Sequence, residues 1–335
     1  MTVTRRGLLL ALGAPLVLAA CDRASGTGAA DPASGGGASS GGTSGGGTTG
    51  TVTSGPRGTT TAPSSSTGRA TPATSVPDGT RVLNIVAHPD DDLLFLSPDL
   101  IHSVRGGAQV RTVFVTAGDA GKPAAYWQGR LQGIRAAYAQ LAGVPDGWTA
   151  AGSALPGVSV EALIAAPRVS MVFLKLPDGG PGNGYQRYGL ASLPKLWRGT
   201  LGAITAVDGS ATYTRGDLVD ALATLMTGFG PDVVRTQDFI GRFGDGDHND
   251  HHATAYLARA ASRGYRTAHR LVAYQDYATE HRAPDIPAEL LAVKQAAFAT
   301  YSRQDVEVFS GGTASAGYKP VFDAWLRRQY VLTVE

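Results

Sequence analysis

The chain has 335 residues, enough for one large domain or two small ones, and a formal net charge of +2. Its single cysteine excludes a disulfide framework within the chain and any zinc site built from several cysteines. The small net charge gives no support for a nucleic-acid partner, which basic clusters would indicate. Forty-five residues are glycine, roughly twice the usual proportion, which indicates segments of unlike composition.

Residues 1–21 have the pattern of an export signal. Two arginines open the segment, and an uncharged apolar run over residues 8–20 follows, which is short for a transmembrane helix. The run ends in the letters LAAC, which resemble the lipobox of bacterial lipoproteins. We therefore predict that Cys21 is lipidated and holds the exported protein on the outer face of the bacterial cell membrane, after Sec or twin-arginine export. A free cysteine beside an ordinary signal peptide is the alternative.

Residues 22–77 consist almost entirely of Gly, Ser, Thr, Ala and Pro, and Val52 and Val76 are the only larger aliphatic side chains. Such a segment cannot bury enough apolar surface to fold, so it is predicted to be a disordered tether. The folded domain is then predicted to comprise residues 78–335.

Strands and helices alternate along this folded part. Alternation of this kind predicts an α/β fold with a Rossmann-like, mostly parallel sheet and helices on both faces. Ligands of such sheets bind beyond the carboxyl ends of the strands, which is where we expect the active site. The predicted strands cover residues 81–86, 109–115, 169–176 and 232–236. The predicted helices cover residues 93–104, 126–142, 215–229 and 251–263.

Histidines and aspartates follow two of these strands. Residues 87–92 (AHPDDD) come directly after the first strand, and residues 245–252 (DGDHNDHH) follow the fourth. Imidazoles and carboxylates at neighbouring strand ends suit zinc, which binds catalytically through two histidines and one carboxylate with a position left for water. A cation would also relieve the repulsion among three adjacent carboxylates. The alternatives are a helix-capping turn and a solvated loop.

Residues 87–92 closely resemble the AHPDDE motif of the PIG-L/LmbE-like de-N-acetylases, and residues 248–251 (HNDH) resemble that family's later HPDH-like motif. The similarity extends over most of residues 80–305. It implies a zinc-dependent N-deacetylase, an enzyme that hydrolyses linear amides. Three side chains are implied to bind Zn²⁺, or another divalent metal such as Fe²⁺, and they are His88, Asp91 and His251.

The resemblance also implies roles for the residues around the metal. Asp90 would be the general base, His248 would stabilise the developing oxyanion, and Asp250 would orient or charge that histidine. Arg130 is a candidate for contacting a substrate hydroxyl or phosphate, with an ordinary surface-helix arginine as the alternative. Asp119 is a candidate pocket residue, with a turn-capping aspartate as the alternative.

These residues predict removal of an N-acetyl group from an N-acetylated sugar or sugar conjugate. Two other classes stay open at this point: a non-catalytic, surface-anchored glycan-binding protein on the same fold, and another metallohydrolase, such as one acting on phosphoesters. An exported, lipid-anchored enzyme would meet sugars of the cell envelope or the environment, with no nucleic acid among its partners.

Overall fold

The computed structural model describes residues 79–312 and 314–335. The predicted signal at residues 1–21, with Cys21, and the predicted tether at residues 22–77 lie outside the described residues. The strands are β1 (Arg81–Val86), β2 (Gln109–Thr116), β3 (Trp148–Gly152), β4 (Ser159–Leu163), β5 (Val169–Leu176), β6 (Ile204–Thr205), β7 (Thr212–Tyr213), β8 (Val233–Thr236), β9 (Arg270–Tyr274) and β10 (Val331–Val334).

The helices are α1 (Asp91–Phe95), α2 (Asp99–Arg105), α3 (Ala124–Ala142), α4 (Leu193–Arg198), α5 (Arg215–Phe229), α6 (Asn249–Gly264), α7 (Ala288–Ser302) and α8 (Asp323–Leu326). Short 3₁₀ turns lie at Gln186–Tyr188, Tyr277–His281 and Pro320–Phe322. Among the described residues, none of these helices has both the length and the apolar character that crossing a bilayer requires.

Eight strands form one sheet in the order β10-β9-β8-β1-β2-β5-β4-β3, and β6 pairs with β7 separately. The five central strands, from β9 to β5, run parallel. At the edges, β10 pairs antiparallel with β9, and β4 and β3 extend β5 antiparallel. This mostly parallel sheet confirms the predicted fold class, and the parallel centre brings the carboxyl ends of β1, β2, β5 and β8 to one edge.

Helices cover both faces of the sheet, as predicted. Side chains alternate along a strand, so β1 directs Val82 and Val86 to one face and Leu83 and Ile85 to the other. The first apolar cluster packs β1 against α1, α2, α3, α7 and α8, and the second packs it against α4, α5 and α6. Burial on both faces accounts for the near-continuous apolar composition of the central strands.

The predicted helix at residues 93–104 is wrong, because two shorter helices, α1 and α2, take its place. Pro98 precedes α2, and proline lacks the N–H that would continue the hydrogen bonding of a helix. The other predicted helices are present, and α3 and α5 end at Gly143 and Gly230, both in the left-handed conformation with φ of 69°.

Candidate active site

Polar side chains gather where the central strands end. Residues 87–92 leave β1, Asp119 lies in the loop after β2, and Asp178 lies in the loop after β5. The segment after β8 leads into α6, whose first turn carries the second histidine motif. The parallel topology therefore brings residues from four distant parts of the chain to one place.

Three donor atoms converge at the centre of this site. Nδ1 of His88 lies 3.2 Å from Asp91 Oδ2, Nε2 of His251 lies 3.2 Å from Asp91 Oδ1, and the two nitrogens are 3.3 Å apart. Donor atoms around a tetrahedral zinc ion are roughly 3.3–3.6 Å apart, given metal–ligand distances of about 2.0–2.2 Å. The donor set and its spacing therefore fit zinc. We call these three residues the ligand triad.

Each imidazole of the triad also faces a carboxylate on its far side. Nδ1 of His251 lies 3.0 Å from Asp247 Oδ1, an arrangement that leaves Nε2 to bind a metal when the ring is neutral. Asp276 Oδ2 lies 3.7 Å from the same Nδ1. On His88, it is Nε2 that faces a carboxylate, Asp250 Oδ2, at 3.5 Å. Partners of this kind orient histidine ligands in metal sites.

The charges in the triad favour a cation. Burial acts against charge on His88, but Asp91 outweighs it and, with Asp250 and Asp178, raises the pKa of His88 to about 10. Burial would raise the pKa of Asp91, but His251 and His88 hold that pKa well below its usual range. The carboxylates that attract protons to these histidines would attract a divalent ion in the same way.

His248 lies beside the triad but presents a different atom to it. Its ring nitrogens are close enough to His88 and His251 to suggest a fourth ligand. However, Nδ1 accepts a hydrogen bond from the backbone N–H of Asp250 at 3.2 Å, where His248 forms the N-cap of α6. In the neutral ring Nε2 then carries the proton, and burial and the charge of His88 lower the pKa of His248 to about 4. The ring therefore offers an N–H donor.

The carboxylates pair with these two histidines in an unexpected way. Asp250, which was expected to act on His248, places Oδ2 near His88 and accepts the Gly179 N–H at 2.7 Å. The carboxylate facing Nε2 of His248, at 3.9 Å, belongs to Asp178. Asp250 meets His248 through its backbone N–H.

Asp90 is paired with a buried arginine. Arg130 is 3% exposed, and its Nη2 lies 2.5 Å from Asp90 Oδ1. Nη1 donates to the Gly118 carbonyl at 2.8 Å, and Nε donates to Tyr301 Oη at 2.7 Å and lies 3.1 Å from Asp305 Oδ2. Burial raises the pKa of Asp90 to about 6 although Arg130 opposes the shift. We call Asp90, Arg130, Tyr301 and Asp305 the arginine network.

Arg130 is therefore buried, contrary to the surface-helix alternative. All three of its guanidinium nitrogens already bind protein groups. Asp119 is also buried, and its two oxygens accept the N–H groups of Asp178 and Gly121, each at 2.8 Å. It joins the loops after β2 and β5. Burial, with a contribution from the charge of Asp178, raises the pKa of Asp119 to about 7.

Several site residues escaped the sequence analysis. Asp178 follows the third predicted strand, so the rule that ligands bind beyond strand ends could have identified it. Asp276 follows β9, a strand that was not predicted, and Tyr301 and Asp305 carry no local motif. His252, the neighbour of His251, points away from the triad, to the Asp238 carbonyl and Asp245.

Comparisons with known proteins match the chain to a family. Residues 83–262 match the model of the PIG-L family, described as GlcNAc-PI de-N-acetylase. A 1D-myo-inositol 2-acetamido-2-deoxy-alpha-D-glucopyranoside deacetylase of Mycobacterium sp. (strain KMS) is 31% identical over 185 residues, 54% of this chain and 51% of the relative. The protein of strain JLS matches equally well. The chain thus spans about half the length of these curated relatives.

Solved structures show weaker likeness. The zinc-inhibited form of teicoplanin deacetylase Orf2 is 20% identical, with 73% of this chain and 90% of that chain covered and a TM-score of 0.42. N,N'-diacetylchitobiose deacetylase from Pyrococcus horikoshii is 17% identical, with 68% and 71% covered and a TM-score of 0.37. The family match covers more than half of the chain and includes both histidine motifs. The chain belongs to the PIG-L family of GlcNAc-PI de-N-acetylases.

Proposed function

We propose that this protein is a metal-dependent hydrolase that removes the N-acetyl group from an N-acetylated sugar or sugar conjugate. The observation that carries the proposal is the convergence of His88 Nδ1, His251 Nε2 and the Asp91 carboxylate, beside the Asp90 carboxylate, which pairs with Arg130 instead. The curated relatives, which are deacetylases of an N-acetylated glucosamine conjugate, support the same reaction class.

The ligand triad would hold the metal, and Zn²⁺ fits its donor atoms and their spacing. A zinc ion there would supply Lewis-acid activation of the acetamide carbonyl and of a water molecule. The rest of the chemistry belongs to the chain. Asp90, held by Arg130, takes the proton from the attacking water, which is the work of a general base.

His248 serves the other side of the reaction. Its Nδ1 is fixed by the start of α6, so the Nε2–H is held ready to donate to the oxyanion that develops on the acetyl carbonyl oxygen. Asp90 then passes the proton it took from water to the leaving nitrogen. The products are acetate and a free amine.

The test is an acetate-release screen of the full chain with added zinc, using N-acetylated fragments of the cell envelope as substrates. We expect acetate and free amine in equal amounts from at least one fragment. Metal binding with phosphate release from phosphoesters, and no acetate, would support a different metallohydrolase. Glycan binding with neither product would support a non-catalytic protein.

We also propose that Cys21 carries a lipid that anchors the protein outside the cell membrane, on the strength of the sequence LAAC after a short apolar run. Membrane fractionation of cells producing the wild type or Cys21→Ser tests this. The wild type should be found in the membrane fraction and the variant should not. Equal partition of the two forms would contradict the proposal.

A further inference from the structure

Tyr126 is buried without belonging to the apolar core. It lies in the first turn of α3 and is only 8% exposed, yet it is in neither hydrophobic cluster, whereas the next residue, Trp127, packs in the first one. Its ring meets charged groups instead. The Lys122 ammonium lies 4.5 Å from the ring centroid, and the Arg130 guanidinium lies 6.0 Å from it.

The hydroxyl of Tyr126 has no hydrogen-bond partner among the described residues. A buried hydroxyl without a partner costs free energy, and natural structures rarely leave one so. The hydroxyls of Tyr213 and Tyr265 also lack a partner among the described residues, but four other buried tyrosines each donate the hydroxyl to an aspartate. These pairs are Tyr138–Asp92, Tyr274–Asp99, Tyr301–Asp305 and Tyr318–Asp323.

The ring of Tyr126 lies beside the arginine network, because the guanidinium that binds Asp90 is 6.0 Å from the ring centroid. Burial is the main reason that the pKa of Tyr126 rises, and the nearby charges of Asp305, Asp90 and Asp178 add to the rise while Arg130 opposes it. The phenol therefore keeps its proton and is a hydrogen-bond donor. These four groups come from the turn after β1, from α3, from the loop after β5 and from the segment after α7.

We propose that the Tyr126 hydroxyl is a substrate-contacting group that donates a hydrogen bond to an oxygen of the bound substrate beside Asp90. This inference rests on the proposed function, since it requires an N-acetylated sugar to occupy the site. The acetamide carbonyl and the sugar hydroxyls are acceptors of the required kind. Bound substrate would then satisfy a donor that the protein leaves unpaired.

The experiment compares Tyr126→Phe with Tyr213→Phe. The Tyr213 hydroxyl is also buried and also lacks a partner among the described residues, but its side chain packs in the second hydrophobic cluster. Both variants remove one oxygen atom and no described hydrogen bond, so both should fold with an unchanged melting temperature. We expect kcat/KM for N-acetylglucosamine conjugates to fall about 10- to 100-fold in Tyr126→Phe and to stay at the wild-type level in Tyr213→Phe.

Whether Tyr126→Phe changes KM or kcat shows at which stage the hydroxyl contacts the substrate. A raised KM places the hydrogen bond on a group that is already in contact in the bound substrate, and a lowered kcat places it on the transition state; either supports the inference. Wild-type kcat/KM in Tyr126→Phe would overturn it. A melting temperature lowered by several degrees in Tyr126→Phe alone would also overturn it, because the hydroxyl would then have a structural partner. Failure of the proposed function is seen separately, as a wild type that releases no acetate.

Discussion

The ligand triad and the arginine network adjoin each other, and both are buried and charged. They differ in whether their polar atoms all have partners within the protein. The triad brings His88 Nδ1, His251 Nε2 and the Asp91 carboxylate to within 3.2–3.3 Å of one another. The arginine network is closed, because every guanidinium nitrogen of Arg130 has a protein partner. The first arrangement could bind a cation, whereas in the second the guanidinium nitrogens already have their partners.

Two adjacent residues show the difference most clearly. Asp91 faces two histidines that hold its pKa well below the usual range, whereas burial raises the pKa of Asp90 to about 6 against the pull of Arg130. Environments that push the pKa values of neighbouring carboxyl groups apart are typical of sites in which one group binds and the other moves a proton. This difference supports the proposal that Asp91 binds the metal and Asp90 transfers the proton.

The largest effect should come from opening the triad. His251→Ala removes one of three ligands, so we expect loss of bound zinc and of all acetate release. Metal analysis of the purified variant and the acetate assay measure the two effects. Full zinc content in His251→Ala would show that the metal is held elsewhere. The triad would then not differ from the arginine network as the metal-binding group.

Asp90→Asn should affect turnover without affecting the metal. Asparagine retains an oxygen for Arg130 but cannot accept a proton as a base, so we expect kcat to fall about 10²- to 10⁴-fold at unchanged zinc content. Rate measurements paired with metal analysis test this. Retention of the full rate would remove Asp90 from the role of base.

Asp247→Ala should lower the metal affinity of the triad without removing a ligand. This change removes the carboxylate that orients His251 through Nδ1, and loss of such a partner typically costs about 10- to 100-fold in metal affinity. Competition with a zinc chelator measures that affinity. Asp217→Ala is the control, because this carboxylate bonds only to Thr214 at the start of α5 among the described residues, so its removal should leave zinc affinity unchanged. Equal affinity in both variants would argue against an orienting role for Asp247.

The smallest effect is expected in the arginine network. Tyr301→Phe removes an acceptor of Arg130 and a donor to Asp305, and Tyr318→Phe removes a comparable bond to Asp323 on the same side of the sheet. Each should cost about 1–3 kcal/mol of unfolding free energy. Only Tyr301→Phe should also lower kcat, several-fold, because only it loosens the partner of Asp90. Denaturant unfolding and steady-state rates separate these effects, and equal rates would make Tyr301 purely structural.

The part of the site that the sequence predicted is the part encoded by short motifs. His88, Asp91 and His251 follow strands whose apolar pattern is plain, so the rule that ligands bind beyond strand ends predicts that they lie together. Tyr301 and Asp305 lie more than 160 residues after Arg130 in the chain and meet it only because α7 packs against α3. No local pattern encodes such a meeting.

The fold was predictable to a similar degree and for similar reasons. The central strands and the long helices have clear periodicity and glycine stops, and they are present. The antiparallel edge strands are short or only partly buried, so their sequences lack the apolar runs that mark β1 and β5. Asp276 was missed along with β9, because a strand end cannot be read from a strand that has not been recognised.

Arg130 depends on a segment that is synthesised late. All three members of the ligand triad leave the ribosome before Tyr301 and Asp305, which lie about 50 residues beyond His251 and outside the family match that ends at residue 262. Chains are synthesised from the N terminus, and a domain generally folds as a unit. Until residues 301–305 have been synthesised, a nascent chain that already contains the whole ligand triad lacks two partners of Arg130, so the arginine network cannot close before this late segment is present.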